Sequence, residues 1–267
     1  MSLTSNDLGA VLQAVHDQEP LVQCITNVVV TNFTANSLLA LGASAAMADL
    51  PDEAGRFAEL ASGLLINLGT PYKEQRAGML EAVRHADQAQ TPWVLDPVAV
   101  GALPVRTKLI EPLLSFSPTI IRGNASEIAF CAGIGSGGRG VDATTTVDAV
   151  AEAATTFAHE QDCVLAISGP IDVIIAPDGR LARIDNGSAL LTKVTGGGCA
   201  LGAVLAACAG VTDDPFIAAV TGTALWGVAA DRAAARTTGP GSFAVALLDE
   251  VAALTPESLA EGVNLTT

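Results

Sequence analysis

Gly63-Leu64-Leu65-Ile66-Asn67 is a short, continuously apolar run that ends in an asparagine. A run of this length without polar alternation predicts a β-strand that is covered on both faces. Val164-Leu165-Ala166-Ile167 repeats the pattern later in the chain. Strands buried on both faces are typical of parallel sheets in α/β proteins, so these two runs indicate that class of fold.

Similar short runs alternate along the chain with longer, alanine-rich stretches of helical periodicity. The predicted strands are Leu21–Ile25, Ala43–Ala48, Gly63–Asn67, Trp93–Leu95, Ile120–Arg122, Val164–Ile167, Val173–Ala176 and Leu181–Ile184. The predicted helices include Phe33–Leu41, Ala54–Ala61, Tyr72–Gln90, Ala125–Ala132, Val147–His159, Gly198–Gly210, Pro215–Ala235 and Ser242–Ala253. Because such alternation is typical of right-handed βαβ units, we predict a mostly parallel central sheet with helices on both faces. No change of composition divides the chain, so residues 1–267 are predicted to form one domain.

The composition excludes several classes of protein. The 267 residues carry 13 Lys and Arg against 28 Asp and Glu, and this net charge of −15 repels nucleic acid and anionic membranes. The longest apolar stretch, 200–230, is interrupted by Thr212-Asp213-Asp214-Pro215, and neither half reaches the ~18 to 20 residues of a membrane span. The first residues lack the basic and apolar regions of a signal peptide. We therefore predict a cytoplasmic protein with no nucleic-acid or membrane partner.

The sequence also argues against a disulfide framework, a zinc site and a dinucleotide-binding loop. The five cysteines are odd in number and contain no C-x-x-C pair, which argues against a disulfide framework and a zinc site. Gly135-Ser-Gly-Gly-Arg-Gly140 matches G-x-G-x-x-G, but it follows a predicted helix rather than a strand. We therefore do not interpret it as a dinucleotide-binding loop.

The most informative segment is Thr195-Gly196-Gly197-Gly198-Cys199, which leads directly into a helix of small apolar residues. Glycines permit a tight turn whose N–H groups converge, and the helix dipole adds attraction for an anion. The alternative is a glycine turn that is required only for close packing. In the first helical turn Cys199 is expected to have a lowered thiol pKa, and its alternative role is that of a small buried residue.

Three further segments place polar side chains at the carboxyl ends of predicted strands, where ligands bind in open α/β sheets. Asp96 can hold Mg²⁺ or cap a turn. Arg122 ends a strand, and Glu127, three residues after Asn124, forms either a capping box or part of a hydrated magnesium site. Ser168 lies in a turn that can face a nucleotide, although a plain hairpin is the favoured interpretation of that turn.

Together and in this order, these segments resemble the hydroxyethylthiazole kinases of thiamine salvage, which belong to the ribokinase-like superfamily. The resemblance extends from about Pro20 to Leu248. It is carried by Pro20–Asn36, Leu38–Ala48, Leu65–Thr70, Leu95–Gly101 and Arg122–Ile128, together with the glycine turn.

The resemblance implies an ATP-dependent kinase that phosphorylates the hydroxyl of 4-methyl-5-(2-hydroxyethyl)thiazole, with Mg²⁺ as cofactor. It also implies a homotrimer with the thiazole site between subunits. Cys199 stands where most ribokinase-like kinases carry a catalytic aspartate. The residues to which the resemblance assigns roles are Met47, Gly196 and Asn27 for the thiazole, Arg122, Ser168 and Thr195 for ATP, Asp96 and Glu127 for magnesium, and Gly196, Gly197, Gly198 and Cys199 for the phosphoryl transfer.

Two positions depart from the pattern of that family. Gly197 replaces a more usual Thr or Ala, which is expected to loosen the turn, and Ser168 replaces a frequent Thr while keeping its hydroxyl. Alternative functions are another ribokinase-like small-alcohol kinase, an ATP-dependent nicotinamide-hydrate dehydratase, and a thiazole-binding homologue without turnover. An aspartate in place of Cys199 would have favoured the first two.

Overall fold

A computed structural model of the chain describes residues 3–134 and 147–267. The strands of the described residues are β1 Leu21–Ile25, β2 Ser44–Ala46, β3 Gly63–Asn67, β4 Trp93–Asp96, β5 Ile120–Asn124, β6 Val164–Ser168, β7 Asp172–Ile175, β8 Leu181–Ile184 and β9 Leu265–Thr266. They form one sheet in the order β2-β1-β3-β4-β5-β6-β7-β8-β9. β1 to β6 pair in parallel and β6 to β9 pair in antiparallel fashion. The predicted mostly parallel sheet is therefore confirmed.

Helices cover both faces of this sheet. They are α1 Ser5–Gln18, α2 Thr31–Leu41, α3 Ala54–Leu60, α4 Lys73–Ala89, α5 Pro104–Leu114, α6 Ala125–Cys131, α7 Val147–Gln161, α8 Gly197–Ala209, α9 Pro215–Ala235, α10 Pro240–Ala253 and α11 Pro256–Gly262. A 3₁₀ turn at Ala189–Lys193 precedes α8. Among the described residues, none of these helices has the length and apolar content needed to cross a bilayer.

The apolar run that opens β3 contributes to two separate cores. Leu65 packs in the core formed with α1, α2, α8, α9 and α10, whereas Leu64 and Ile66 pack in the core formed with α3 to α7. A Cβ at Gly63 would lie within 2.3 Å of the Ala206 carbonyl oxygen, so α8 can cross β3 this closely only because that residue is glycine. The strand lacks polar alternation because neither face meets water.

The strand order places a topological switch point between β1 and β3. The chain leaves β1 toward α2 on one face of the sheet and leaves β3 toward α4 on the other. α8 contacts β1, β3 and β4, and its last turn lies over the start of β3. Its amino terminus therefore lies at the carboxyl edge of the strands, which is where open α/β sheets bind ligands.

Several elements were not predicted from the sequence. These are α1, α5, α11, the two-residue β9 and the 3₁₀ turn, whereas the predicted strand Ala43–Ala48 shortens to β2. α5 begins with Pro104 and contains Pro112, a residue that is unfavourable inside a helix. Residues 135–146, which include the rejected glycine motif Gly135–Gly140, lie outside the described residues.

Candidate active site at the carboxyl edge of the sheet

The glycine turn begins α8 in a conformation that requires glycine. Gly196 is the N-cap with φ of +99°, and a Cβ there would lie 3.1 Å from Phe33 and 3.2 Å from Val30. A Cβ at Gly197 would lie 2.8 Å from the Leu191 carbonyl oxygen, and the Gly197 carbonyl accepts a hydrogen bond from Trp226 Nε1 at 2.9 Å. A side chain at position 197 would clash with Leu191, and the Trp226 bond anchors the turn, while the loosening expected for Gly197 stays a prediction.

Close packing explains why Gly196 and Gly197 are glycines. The turn also presents backbone N–H groups that can donate hydrogen bonds to a ligand. Gly197 N–H donates to the Val194 carbonyl at 3.2 Å, and the first bond within α8 runs from Ala200 N–H to the Gly196 carbonyl at 2.8 Å. The N–H groups of Gly198 and Cys199 lie between these two bonds, at the positive end of the helix dipole. N–H groups in this position attract anions.

A chain of buried amide and carboxylate groups crosses the ends of β1, β3 and β4. Asn67 Nδ2 donates to Asp96 Oδ2 at 2.7 Å, and Asn67 Oδ1 accepts from Asn27 Nδ2 at 3.0 Å and from Gly69 N–H at 2.9 Å. Asn27 Nδ2 also lies 3.6 Å from Cys199 Sγ. Asn67 therefore fixes the orientation of Asp96 on one side and of Asn27 and Cys199 on the other.

Arg122 extends this chain to β5 and β6. Its Nη2 donates to Ser168 Oγ at 2.9 Å, and its Nη1 lies 3.6 Å from Asp96 Oδ2. A Cβ at Gly198 would lie 3.0 Å from Nη2 and 3.1 Å from Nη1, so the guanidinium is in close contact with the first turn of α8. One cation thus joins a carboxylate, a hydroxyl and the amino terminus of a helix.

Asp96 is completely buried and only partly neutralised. Burial is the main cause that raises its pKa from 3.8 to about 7, while Arg122 and the hydrogen bond from Asn67 act in the opposite direction. The charge of Glu127 raises the pKa further. Asp96 Oδ1 has no hydrogen-bond partner among residues 3–134 and 147–267. A buried carboxylate oxygen without a partner is costly unless a cation or donor reaches it.

The expected lowering of the Cys199 pKa is wrong. Burial is the largest effect on this thiol and raises its pKa, and the charge of Asp96 acts in the same direction. Hydrogen bonds from Asn67 and Asn27 and the charge of Arg122 lower the pKa, but they do not outweigh burial. The position of Cys199 in the first turn of a helix is therefore not enough to produce a thiolate.

Glu127 forms the capping box that the sequence left open. Asn124 Oδ1 accepts from Glu127 N–H at 3.0 Å, while Glu127 Oε2 accepts from Asn124 N–H at 2.9 Å. Glu127 Oε1 accepts from Ala99 N–H at 2.8 Å, which joins the loop after β4 to the start of α6. The box holds the carboxylate at the same edge as Asp96. The hairpin favoured for Ser168 is likewise observed, because β6 pairs antiparallel with β7.

A cavity of about 670 Å³ adjoins this edge. Arg122, Ser168, Gly197 and Gly198 line it together with Trp226 and the loop that follows β8. The Asp172 carboxylate also lines it, and its pKa is raised to about 6 chiefly by burial, against the Gly169 N–H and the charge of Arg122. A larger cavity of about 710 Å³ lies at the opposite edge of the sheet and contains none of the predicted site residues.

The structure thus brings most of the predicted site residues together. Met47 directly follows β2 and packs against the core, and Thr195 is exposed just before Gly196, but neither makes a side-chain hydrogen bond to the cluster in the described residues. Sequence reasoning missed Asn67, Asp172 and Trp226. Asn67 was visible as a polar residue at the end of an apolar strand, whereas nothing local marked Trp226.

Comparison with known protein families gives a match over most of the chain. Residues 12–257 match the model of the hydroxyethylthiazole kinase family. The hydroxyethylthiazole kinase of Clavibacter sepedonicus is 58% identical over 263 residues, which cover 98% of this chain and 94% of that protein. The hydroxyethylthiazole kinase of Kineococcus radiotolerans is 48% identical over 252 residues, which cover 94% of this chain and 91% of that protein.

Solved structures agree with these sequence matches. The hydroxyethylthiazole kinase protein from Pyrococcus horikoshii superposes with a TM-score of 0.86 at 32% identity, covering 97% of this chain and 98% of that one. A ribokinase-like superfamily protein from Enterococcus faecalis superposes with a TM-score of 0.65 at 13% identity, covering 95% and 96% of the two chains. The second likeness concerns the fold alone, and it supports the predicted ribokinase-like architecture.

Proposed function

The chain belongs to the hydroxyethylthiazole kinase family, and from that membership we propose that it transfers the γ-phosphoryl group of ATP to the hydroxyl of 4-methyl-5-(2-hydroxyethyl)thiazole. The observation that carries this proposal is the position of Arg122, whose guanidinium contacts Ser168, lies near Asp96 and touches the first turn of α8. A polyphosphate needs a cation, N–H donors and a carboxylate for its metal in one place. This edge of the sheet supplies all three. We also propose a cytoplasmic location, where ATP is available to the enzyme.

The two substrates approach the centre from different sides. The cavity of about 670 Å³ has the size of a small-molecule site, and Arg122, Ser168 and Gly198 line it, so ATP occupies it with its phosphates toward α8. Thr195 lies beside the phosphates. The thiazole lies on the other side, near Asn27, Gly196 and Met47, with its hydroxyl directed at Cys199.

Charge stabilisation is the main contribution that these residues make to the transfer. In a loose transition state the charge is spread over the equatorial oxygens of the phosphoryl group, so positioned donors have a large effect. The N–H groups of Gly198 and Cys199, at the positive end of α8, hold these oxygens. Arg122 neutralises the polyphosphate, while its contact with Ser168 fixes the guanidinium.

A magnesium ion fits the carboxylates at this edge. Asp96 Oδ1 is a buried oxygen without a partner, and Glu127 lies near enough to raise the pKa of Asp96 through its charge. In the described residues, no group of three or more His, Cys, Asp or Glu side chains can hold a metal by itself. Mg²⁺ commonly binds to one or two carboxylates, phosphates and water, so Asp96 and Glu127 are the residues that would hold it. When bound, the ion neutralises charge on the phosphates.

Cys199 orients the hydroxyl rather than acting as a strong base. Its raised pKa keeps the thiol protonated near neutrality, and Asn27 lies 3.6 Å from the sulfur. A protonated thiol is a weak hydrogen-bond donor and a weak acceptor, so it can orient the hydroxyl without removing its proton. A loose transition state leaves the alcohol proton in place until late in the transfer, so a strong base is not required there.

Cys199→Ser and Cys199→Ala test this role. Serine replaces the thiol beside Asn27 with a hydroxyl that can still donate and accept a hydrogen bond, so kcat is expected to stay within about tenfold of the original enzyme, and alanine is expected to lower it further. Steady-state assays at saturating ATP measure both. Cys208→Ser is the matched control, since Cys208 is buried in α8 on the core side. A loss of more than a thousandfold in Cys199→Ser would instead make the thiol an essential base.

We further propose a homotrimer in which the thiazole site lies between subunits. β2 is one of the two edge strands of the sheet, and several exposed apolar side chains lie within the segment 28–60 that contains it. Val28 and Val29 are 64% and 66% exposed, and Leu39, Leu50 and Leu60 are exposed nearby along the chain. Exposed apolar residues that form a contiguous patch are typical of interfaces. A mass in solution three times the 26.9 kDa of one chain supports the trimer, and a monomer contradicts it.

An assay of ADP release tests the kinase function. The protein is incubated with ATP and Mg²⁺ together with the thiazole alcohol, with a pyrimidine alcohol, or with no acceptor. Release is expected to depend on the thiazole alcohol. A rate that is the same without an acceptor would contradict kinase activity, preference for the pyrimidine alcohol would assign a different acceptor, and affinity for thiazole without any effect of ATP would indicate a binding protein.

A further inference from the structure

The loop that follows β8 forms one wall of the cavity that we assign to ATP. The residues of this loop that line the cavity are Asn186, Gly187 and Ser188. They lie between β8 and the 3₁₀ turn and belong to neither element. Gly187 has φ of +132°, in the region that favours glycine. A loop of this kind needs support from elsewhere to keep one conformation, and the structure shows where that support lies.

Asn186 and Asp231 join this loop to two other parts of the chain. Asn186 Nδ2 donates to Asp231 Oδ2 at 2.9 Å and to the Gly262 carbonyl at 3.1 Å. Asn186 Oδ1 accepts from Asn264 N–H at 2.6 Å, and Asp231 Oδ1 accepts from Gly187 N–H at 3.0 Å. The amide of Asn186 and the carboxylate of Asp231 therefore connect the loop to α9 and to residues 262–264.

The segment 262–266 is itself fastened alongside the loop. Asp185 N–H donates to the Asn264 carbonyl at 3.0 Å, and β9 continues the sheet by pairing Leu265 with Ile184. On the other side, a Cβ at Gly227 would lie 2.8 Å from the Asn186 Cβ, so the loop packs directly on α9. Gly227 and Trp226 of α9 line the same cavity. A displacement of the segment would therefore release the wall of the cavity.

We propose that residues 262–266 act as a clamp, through the positioning residues Asn186 and Asp231, that sets the affinity of the cavity for ATP. The proposal rests on the proposed function, since it takes the nucleotide to be the occupant of the cavity. The bonds of the clamp end at the cavity wall, whereas Asn27 and Cys199 are held separately through Asn67 and Asp96. Loss of the clamp therefore affects ATP and leaves the alcohol site intact.

Asp231→Asn tests the clamp with a change of one functional group. The amide of Asn would present N–H to the Asn186 N–H or to that of Gly187, so one of the two bonds is lost. The KM for ATP is expected to rise about fivefold to twentyfold, the effect of losing one hydrogen bond to a charged acceptor, while the KM for the thiazole alcohol stays within about twofold. The matched control is Asp213→Asn, which removes the same charge from an exposed aspartate just before α9.

A truncated chain that ends at Val263 is the second variant, and deletion of Thr267 alone is its control. Binding of a non-hydrolysable ATP analogue, measured by calorimetry, is expected to weaken in the truncated chain and in Asp231→Asn alike. If the original protein is an active kinase and both variants keep their affinity for the analogue, the clamp is wrong. An equal rise of both KM values also contradicts it. If the original protein binds the analogue but releases no ADP with any acceptor, the proposed function is wrong. The affinities of the two variants for the analogue then still test whether the clamp sets nucleotide affinity.

Discussion

Asp96→Asn is expected to lower kcat by a factor of about 100 to 1,000, the size of effect seen when one preorganised electrostatic group is removed from an active site. The Asn oxygen still accepts from Asn67, so the buried chain of side chains keeps its shape. What is lost is the negative charge near Arg122 and at the unpartnered Oδ1, where we place the magnesium ion. Initial rates at saturating ATP, Mg²⁺ and thiazole alcohol measure the effect.

Asp213→Asn again serves as the control, because it removes an aspartate far from the carboxyl edge, and it is expected to leave kcat unchanged. Raising the magnesium concentration should recover part of the activity of Asp96→Asn only if the carboxylate acts by holding the ion. An Asp96→Asn enzyme with at least a third of the original kcat would show that neither metal binding nor the alignment of Arg122 depends on this charge.

The same substitution has a pH-dependent effect on stability in the absence of metal and nucleotide. The folded-state pKa of Asp96, about 7, lies above its ordinary value of 3.8, so its contribution to stability is full below about pH 4 and is lost as the pH rises through 7. Between pH 5 and 8 the original protein should lose on the order of 2–3 kcal/mol relative to Asp96→Asn. Thermal unfolding in EDTA should therefore show that the Tm of Asp96→Asn, relative to the Tm of the original protein, is higher at pH 8 than at pH 5. A difference in Tm between the two proteins that is the same at pH 5 and pH 8 would contradict the raised pKa of Asp96.

The sheet was predictable because burial on both faces leaves a plain trace in the sequence. In β3, Leu64 and Ile66 face one core and Leu65 faces the other, so every position is apolar. α5 left no such trace, since prolines at 104 and 112 obscure its periodicity. β9 has only two residues, and its pairing with β8 arises from contacts between distant parts of the chain.

Part of the site was predictable for a related reason. Asp96 and Ser168 are the last residues of β4 and β6, Arg122 lies at the middle of β5, and the carboxyl ends of parallel strands lie along one edge. The role of Asn67 depends on β3 lying between β1 and β4, an order that no local pattern encodes. The pKa of Cys199 was misjudged because the helix dipole can be inferred from sequence, while burial beside Asp96 requires the fold.

Arg122→Ala is expected to reduce kcat/KM for ATP by a factor of about 1,000, at the lower end of the effects reported for arginines that stabilise a transferring phosphoryl group. The substitution removes the bond to Ser168 and the contact with Asp96, and it opens space against Gly198. Since Asp96 then lacks its opposing cation, the loss should appear in kcat as well as in the KM for ATP. Steady-state kinetics with each substrate varied in turn separate the two.

Arg122→Lys and Ser168→Ala distinguish charge from geometry. A lysine keeps the positive charge, but its single ammonium cannot reach Ser168, Asp96 and the first turn of α8 together as the planar guanidinium does. We therefore expect Arg122→Lys to recover no more than about a tenth of the lost activity, while Ser168→Ala, which removes one hydrogen bond, costs about tenfold or less. Full activity in Arg122→Lys would mean that only the charge matters. Unchanged kinetics in Arg122→Ala would remove the arginine from the phosphate site altogether, and with it the observation on which the kinase geometry depends.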